Sequence, residues 1–165
     1  MTNSFMKSRK TRIIEAIVIL LLVFITATIG SRATIPNIPD WYEGLTKPSF
    51  NPPNWIFGPV WTLLYVLMAY AAWRVIGRIE TRGALIGVTI VFIFQLVFNA
   101  LWSIVFFGMH NPTLALIVVM FLEASVIAMI LMFARHDRFA ALTQLPYAAW
   151  VAFASLLNLA IVLLN

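Results

Sequence analysis

Five long apolar segments, separated by short polar or charged stretches, dominate the pattern of this chain. They cover about 13–30, 55–76, 84–107, 112–134 and 139–164. Each is close to the roughly 20 residues that a helix needs to cross a bilayer. Such continuous apolar runs leave little place for strands, because only helices and closed barrels satisfy their backbone groups in lipid. The pattern predicts an all-α integral membrane protein, in which residues 1–165 form a single five-helix bundle.

The segment between the first two predicted helices, about 31–54, differs from all the others. It is rich in aromatic residues and proline, and it ends in Pro52-Pro53 just before Trp55. Each proline fixes its own φ angle and disfavours the α region for the residue before it. A stiff, aromatic loop is therefore predicted to lead into the second helix and to cover a site.

Composition supports the membrane assignment. The 165 residues are 62% hydrophobic and 10% charged, whereas soluble domains are about 45–50% apolar and about 25% charged. Cysteine is absent, which excludes disulfides, thiol nucleophiles and cysteine-ligated metals.

The net charge of +5 lies at the ends of the apolar segments, which is typical of topology signals and not of a nucleic-acid-binding patch. With five crossings, only Arg32 and Lys47 fall on the side of the aromatic loop. The opposite side has Lys7, Arg9, Lys10, Arg12, Arg74, Arg78, Arg82, Arg135 and Arg138. The positive-inside rule then predicts a cytoplasmic N-terminus and puts the aromatic loop outside. The expected location of this multi-pass protein is a bacterial cell membrane.

Several aromatic side chains suit a flat, mostly apolar ligand. Faces of Trp and Tyr stack on a conjugated ring, and their N–H or O–H groups reach its polar edge. The residues predicted to form such walls are Trp41, Tyr42, Trp61, Tyr65, Trp102 and Trp150. The alternative is an aromatic belt at the membrane interface, which fits residues near span ends better, such as Trp55.

Polar residues inside the third and fifth helices allow two interpretations. Gln95, Asn99 and Trp102 follow an i, i+4, i+7 spacing and share one helix face. Asn158 is a further amide inside the fifth helix. Asn99 and Asn158 either contact a ligand or join neighbouring helices, while Gln95 is predicted to be structural.

Glu123 is the one acidic residue near the middle of a predicted span, in the fourth helix. An ionisable group at that depth is by default a functional hypothesis. Two interpretations stay open, a role in binding a ligand or a proton, and a hydrogen bond to a neighbouring helix.

Gly83 and Gly87 form a small-xxx-small pattern at the start of the third helix. This spacing lets helices approach closely, so the two glycines are a candidate dimer face. No metal site is predicted, because His110 and His136 fall on opposite sides of the membrane without a carboxylate cluster. No hydrolytic or phosphate-binding motif occurs, so no catalytic residue is assigned.

The chain resembles the translocator protein family, also known as tryptophan-rich sensory proteins or peripheral benzodiazepine receptors. The resemblance rests on three groups of residues that keep the family's order and spacing. They are Trp41-Tyr42, Leu45, Lys47-Pro48, Pro52-Pro53, Trp55, Gly58-Pro59-Val60-Trp61 and Leu64-Tyr65; Gln95, Asn99, Trp102 and Phe106-Phe107-Gly108; and Pro146-Tyr147, Trp150, Ala154 and Leu157-Asn158.

The resemblance implies a five-helix bundle whose pocket opens toward the aromatic loop. Family members bind tetrapyrroles such as protoporphyrin IX and haem, and several bind lipids such as sterols or benzodiazepine-type ligands. No cofactor is required, and a homodimer through the third helix is expected. The implied ligand-binding residues are Trp41, Tyr42, Trp61, Tyr65, Asn99, Trp102, Tyr147, Trp150, Ala154, Leu157 and Asn158.

Three functions remain open at this stage. The family suggests a porphyrin receptor or carrier in transport or stress signalling. A second is light-dependent porphyrin breakdown, in which the ligand's own photo-oxidation does the chemistry beside Trp41 and Trp61. A third is an ion-coupled small-molecule transporter that uses Glu123 as its coupling carboxylate.

Overall fold

The computed structural model describes residues 7–165, and all regular structure in that range is helical. Five helical segments are long and apolar enough to cross a membrane, which confirms the predicted five-span, all-α architecture. Large apolar side chains such as Phe24, Leu63 and Leu131 stay exposed along the outside of the bundle. A continuous apolar surface of this kind suits contact with lipid.

Six α-helices, numbered in chain order, make the five crossings. They are α1 (Arg9–Thr34), α2 (Asn54–Ile76), α3 (Arg82–Ser103), α4 (Pro112–Ala134), α5 (Arg138–Leu142) and α6 (Leu145–Leu164). α4 packs against α3 on one side and α6 on the other, and α1 packs against α2 and α3. The arrangement puts α3, α4 and α6 around the most buried part of the bundle.

The first crossing extends well beyond its predicted end at residue 30. After α1, the chain continues as a 3-10 turn, Ile35–Asn37, and a wide π-type turn, Ile38–Tyr42. Pro36 and Pro39 interrupt neither turn, because each occupies one of the first two positions, where a helical N–H has no partner to lose. Within the predicted loop, 31–54, only residues 45–53 are irregular, so Trp41 and Tyr42 belong to a helical extension and not to a free loop.

The fifth crossing is broken in two, where the apolar pattern predicted one helix over 139–164. α5 ends at Leu142, and α6 begins at Leu145 with Pro146 in its first turn. Pro146 has no N–H to continue the helix from α5. Gln144 fills the break, because it is fully buried and its Nε2 donates to the carbonyl of Leu67 at 3.0 Å.

Ion pairs connect the helices at the end of the bundle where α1 begins and α2 ends. This end is called the charged end below. Glu15 accepts from Lys7 Nζ and Arg12 Nη1, both at 2.6 Å. The Arg12 guanidinium lies 4.1 Å from the Trp73 ring centroid and packs on Gly77, where any Cβ would collide with it. α1 is thereby fastened to the last turn of α2.

Asp137 fastens the other side of the charged end. Its carboxylate pairs with Arg74 of α2 and with Arg78 of the turn after α2, and its side chain is only 5% exposed. The same carboxylate accepts from the backbone N–H groups of Phe139 and Ala140, which caps α5. The turn between α4 and α5 is therefore tied to α2 by one acidic residue.

Candidate ligand-binding cavity

A cavity of about 410 Å³ lies at the opposite end of the bundle, beneath the helical extension of α1. It separates α1 from α2, and its floor is the C-terminal part of α3 and the turn that follows. Its lining residues are Ala27, Gly30, Ser31, Thr34, Ile35, Ile38, Tyr42, Asn54, Trp55, Phe57, Gly58, Trp61, Thr62, Tyr65, Trp102, Ser103 and Phe107. The volume falls within the roughly 300–1,000 Å³ of typical small-molecule sites.

Four of the predicted ligand-binding aromatic residues line this cavity: Tyr42, Trp61, Tyr65 and Trp102. Trp61 and Tyr65 are one turn apart on α2, and their ring centroids are 5.7 Å apart with planes inclined by 33°. Trp102 comes from α3 and is nearly buried. The rings therefore reach the cavity from separate helices.

Trp41 does not line the cavity, although it was predicted to. Its indole stacks on the His110 imidazole, with centroids 4.6 Å apart and planes 11° apart, and meets the edge of Phe106. His110 also bonds to Asn37 at 2.8 Å and has a positive φ of 53°. Trp41 thus joins the α1 extension to the turn after α3.

Tyr65 connects the cavity to a buried hydrogen-bond chain. Its O–H donates to Asn99 Oδ1 at 2.7 Å, and Asn99 Nδ2 donates to the Tyr147 hydroxyl oxygen at 3.0 Å. The Tyr147 O–H donates to Gln95 Oε1 at 2.9 Å. Both amides and Tyr147 are buried, so Asn99 and Tyr147 lie behind the wall and reach the cavity through Tyr65.

Asn158 joins helices. It accepts from Trp102 Nε1 at 3.1 Å and donates to the carbonyl of Pro112 at 2.8 Å, at the start of α4. Together with Ala154 and Leu157 it lines a much smaller cavity of about 20 Å³. These α6 residues support Trp102 from behind. The amide oxygen and the amide nitrogen of Asn158 are both hydrogen-bonded within the protein.

Trp150 also lies outside the main cavity. Its ring packs against Phe57, which does line the cavity, with centroids 5.8 Å apart. Its Nε1 is buried and has no hydrogen-bond partner among residues 7–165. A spare indole donor therefore lies one side chain away from the cavity.

Small residues and Trp55 are among the lining residues that sequence reasoning missed, together with Ile35, Ile38, Asn54 and Phe57. Trp55, interpreted as a membrane anchor, lines the mouth while remaining 75% exposed. Gly30 lets α1 approach α3, because a Cβ there would lie 3.3 Å from Ser103 Oγ. Gly58 faces open space inside the cavity. The spacing of the glycines along the sequence does not indicate which of them line a cavity.

The two glycines of the predicted dimer face point in different directions. Gly83 is exposed with no neighbour within 4 Å, whereas a Cβ on Gly87 would lie 3.1 Å from Met132 Cε on α4 of the same chain. Gly87 therefore lies in the contact between α3 and α4. This placement differs from the predicted one, in which Gly87 faces a second copy of the chain. Dimerisation through α3 stays a prediction.

The described residues that line the cavity include no Asp, Glu or His. Across residues 7–165, no group of three or more His, Asp or Glu side chains is placed to hold a metal ion. The polar residues that line the cavity are Ser, Thr, Tyr and one Asn, beside three tryptophans. The arrangement suits the binding of a flat, largely apolar molecule.

Comparison with known proteins shows the family of this chain. The profile of the TspO/MBR family matches residues 17–164. A tryptophan-rich protein TspO of Archaeoglobus fulgidus is 42% identical over 156 residues, covering 93% of this chain and 98% of that protein. The tryptophan-rich sensory protein of Cereibacter sphaeroides is 40% identical (88% and 91% covered), and the human translocator protein 34% identical (79% and 78%). This chain is a member of the TspO/MBR family of multi-pass integral membrane proteins.

Proposed function

We propose that this protein is a membrane receptor or carrier that binds a tetrapyrrole, such as protoporphyrin IX or haem, in the cavity beneath the α1 extension. Relatives named as translocator and sensory proteins support a receptor or transport role. The observation that carries the tetrapyrrole is the aromatic lining. Trp61 and Tyr65 from α2 and Trp102 from α3 present ring faces and edges to one mostly apolar space, and such faces stack on conjugated rings.

The cavity also offers polar groups for the edge of such a ligand. Hydroxyls of Ser31, Thr62 and Ser103 and the amide of Asn54 line it at different depths. A site of this kind is mostly apolar, with a few polar groups that fix orientation. Ring stacking would supply most of the affinity, and these groups would set how the ring sits.

For haem, the fit favours recognition of the ring over ligation of the iron. None of the described residues that line the cavity is His, Met or Cys, the usual axial ligands besides Tyr. The two lining tyrosines already donate their O–H groups, Tyr42 to Asn51 and Tyr65 to Asn99. If the ligand is bound through its ring faces, a metal-free porphyrin and haem would bind with similar affinity.

An absorbance titration of purified protein with protoporphyrin IX in the dark tests this proposal. Trp61→Ala is expected to raise the Kd about tenfold, equivalent to about 1.4 kcal/mol of lost binding free energy. Trp73→Phe is the matched control, since it removes an indole from the same helix at the charged end, where Trp73 contacts Arg12. An unchanged Kd for Trp61→Ala in folded protein would remove the cavity as the binding site.

We further propose that the cavity faces the outside of the cell and the charged end faces the cytoplasm. Nine of the eleven Lys and Arg residues belong to the charged end, as the positive-inside rule requires. The cysteine-free sequence permits a direct test with single substitutions at exposed sites, Ser49→Cys and Arg135→Cys. A membrane-impermeant maleimide should label only Ser49→Cys in intact cells, and the reverse labelling would contradict the orientation.

A further inference from the structure

Arg32 lies in the last turn of α1, at the end of the bundle that holds the cavity, and its side chain is exposed. A cation is favourable at a helix C-terminus, so the residue suits its place in the helix. The four ion pairs among residues 7–165 involve Glu15 and Asp137, both at the charged end. Arg32 therefore has no acidic partner in that part of the chain, and its guanidinium is available to an anion from outside the protein.

Arg32 lines an open groove of about 490 Å³ along α1. Three residues of this groove, Ala27, Ser31 and Ile35, also line the main cavity, so they form the border between the two spaces. They follow an i, i+4, i+8 spacing and lie along one edge of the helix. The groove therefore runs beside the cavity over the same stretch of α1. Its other lining residues are Phe24, Thr28 and Pro36.

The guanidinium of Arg32 lies on the groove side of this border. Arg32 directly follows Ser31, and successive residues of an α-helix point about 100° apart. Its side chain therefore leaves α1 next to the cavity and not inside it. Ser31 is exposed on the border and adds a hydroxyl group. A cationic group and a hydroxyl thus come from neighbouring residues at the place where the cavity meets the groove.

The cavity itself offers no charged partner to a ligand. The described residues that line it include no Lys, Arg or His. An unpaired charge is costly to bury in such an apolar space. A ligand that carries carboxylates, such as protoporphyrin IX with its propionate side chains, must therefore place them beyond the aromatic walls, where water or a cation compensates their charge.

Lys47 is the other Lys or Arg residue at this end of the bundle, and contacts within the protein already occupy it. Its Nζ donates to the carbonyls of Glu43 at 3.0 Å and Leu45 at 3.3 Å. The same atom lies 4.9 Å from the centroid of the Tyr42 ring. Lys47 lines neither the cavity nor the groove. Arg32 is therefore the better-placed cation for an anionic group of the ligand.

We propose that Arg32 and Ser31 form a subsite for a carboxylate of the ligand, which gives the cavity a preference for flat apolar molecules that carry an acid. This subsite rests on the proposed function, in which the ring lies against Trp61, Tyr65 and Trp102. The ring stays in the cavity, while a side chain of the ligand crosses the border and places its carboxylate in the groove. Arginine suits this task, because its planar guanidinium offers paired N–H donors that match a carboxylate. An ester or a neutral flat lipid lacks this contact.

Acidic side chains that could repel such an anion are absent from the described lining of both spaces. Glu123 lies near the middle of α4, is half-buried, and has an Oε2 atom without a hydrogen-bond partner among residues 7–165. It lines neither the cavity nor the groove. Its roles in ligand or proton binding and as a coupling carboxylate stay predictions. The effect of ligand charge on binding should therefore depend on Arg32.

Protoporphyrin IX and its dimethyl ester separate the carboxylates from the ring. Both are titrated into purified protein in the dark at neutral pH, where carboxylic acids are ionised. Arg32→Gln should raise the Kd of the acid about fivefold, as expected for the loss of one exposed ion pair, and change that of the ester less than about twofold. The ratio of the two Kd values is the readout. An unchanged ratio, or an equal loss for both ligands, would overturn the subsite.

Two further variants distinguish a local contact from a general effect of charge. Lys47→Gln is the matched control, because it removes the same charge from the same end of the bundle, and it should leave the ratio unchanged. Arg32→Lys should keep part of the preference for the acid, since it retains the charge and loses the paired donors. A change of the ratio in Lys47→Gln as large as in Arg32→Gln would contradict the local contact.

Pyrenebutyrate and its methyl ester repeat the comparison without a tetrapyrrole. If neither porphyrin binds to the wild-type protein, the proposed tetrapyrrole function fails. A preference for pyrenebutyrate over its ester that is lost in Arg32→Gln would still support the carboxylate subsite. If the wild-type protein distinguishes the acid from the ester in neither pair, the subsite is overturned.

Discussion

The two ends of the bundle are built in opposite ways. At the charged end, Arg12 and Asp137 fasten α2 to its neighbours, and Gly77 makes room for a guanidinium. At the cavity end, α1 and α2 stand apart around a space of about 410 Å³ that is walled by rings such as Trp61. α1 and α2 are held together by contacts at the charged end. At the cavity end the same two helices are separated by the cavity. Stability and ligand binding should therefore respond to substitutions at different ends.

The largest expected effect is at Asp137. Asp137→Ala removes the partner of two arginines and the cap of α5, and breaking a buried ion pair costs about 3–5 kcal/mol. We expect a loss of about 3 kcal/mol in the free energy of unfolding with an unchanged porphyrin Kd. Thermal unfolding in detergent measures the first quantity, and Glu80→Ala, an exposed acid at the same end, is the control. Equal losses for the two variants would contradict the assigned role of Asp137.

Gly87→Leu should also act on stability alone. A side chain there meets Met132 of α4, and overpacking a close contact costs about 1–3 kcal/mol. Unfolding of the variant should occur at lower temperature, while Gly83→Leu, at an exposed position, should leave the unfolding temperature nearly unchanged. A Gly87→Leu protein as stable as wild type would place Gly87 outside the α3–α4 contact.

Gly58→Leu should act on binding alone. The new side chain would extend into the cavity without meeting another atom at its Cβ, so the fold can accept it. Loss of ligand space should raise the porphyrin Kd about tenfold, and the unfolding temperature should stay level or rise, since glycine is a poor helix former. Unimpaired binding by a folded variant would show that the ligand lies elsewhere.

The smallest effect is expected from Trp41→Phe. Trp41 lies outside the cavity on His110, and phenylalanine keeps an aromatic ring in that position. The porphyrin Kd should change less than about twofold, which is under about 0.5 kcal/mol. A tenfold loss in the same absorbance titration would return Trp41 to the binding site.

Much of the fold could be predicted from the sequence because apolar run length limits the number of crossings. The resemblance led to Tyr42, Trp61, Tyr65 and Trp102, all of which line the cavity. The direction of Trp41 could not be predicted, because it depends on the helix continuing through Pro36 and Pro39. A proline in the sequence usually predicts the end of a helix. Here each proline lies in the first turn of a new helical segment, where it is tolerated.

The amides show a second limit of sequence reasoning. Spacing alone left open whether Asn99 and Asn158 contact a ligand or join helices. Asn158 bonds to Trp102 and Pro112, and Asn99 bonds to two tyrosines. Which partners an amide finds depends on the neighbouring helices, and no pattern within one helix contains that information.

The most direct test of the binding site is to locate a porphyrin in the protein. Zinc protoporphyrin IX, bound in crystals of the wild-type chain, places one anomalous scatterer at the centre of the ring. The scatterer should lie between α1 and α2, with the ring against Trp61 and Tyr65 and within reach of Trp102. A scatterer on the lipid-facing surface or at the charged end, with the cavity empty, would contradict the account.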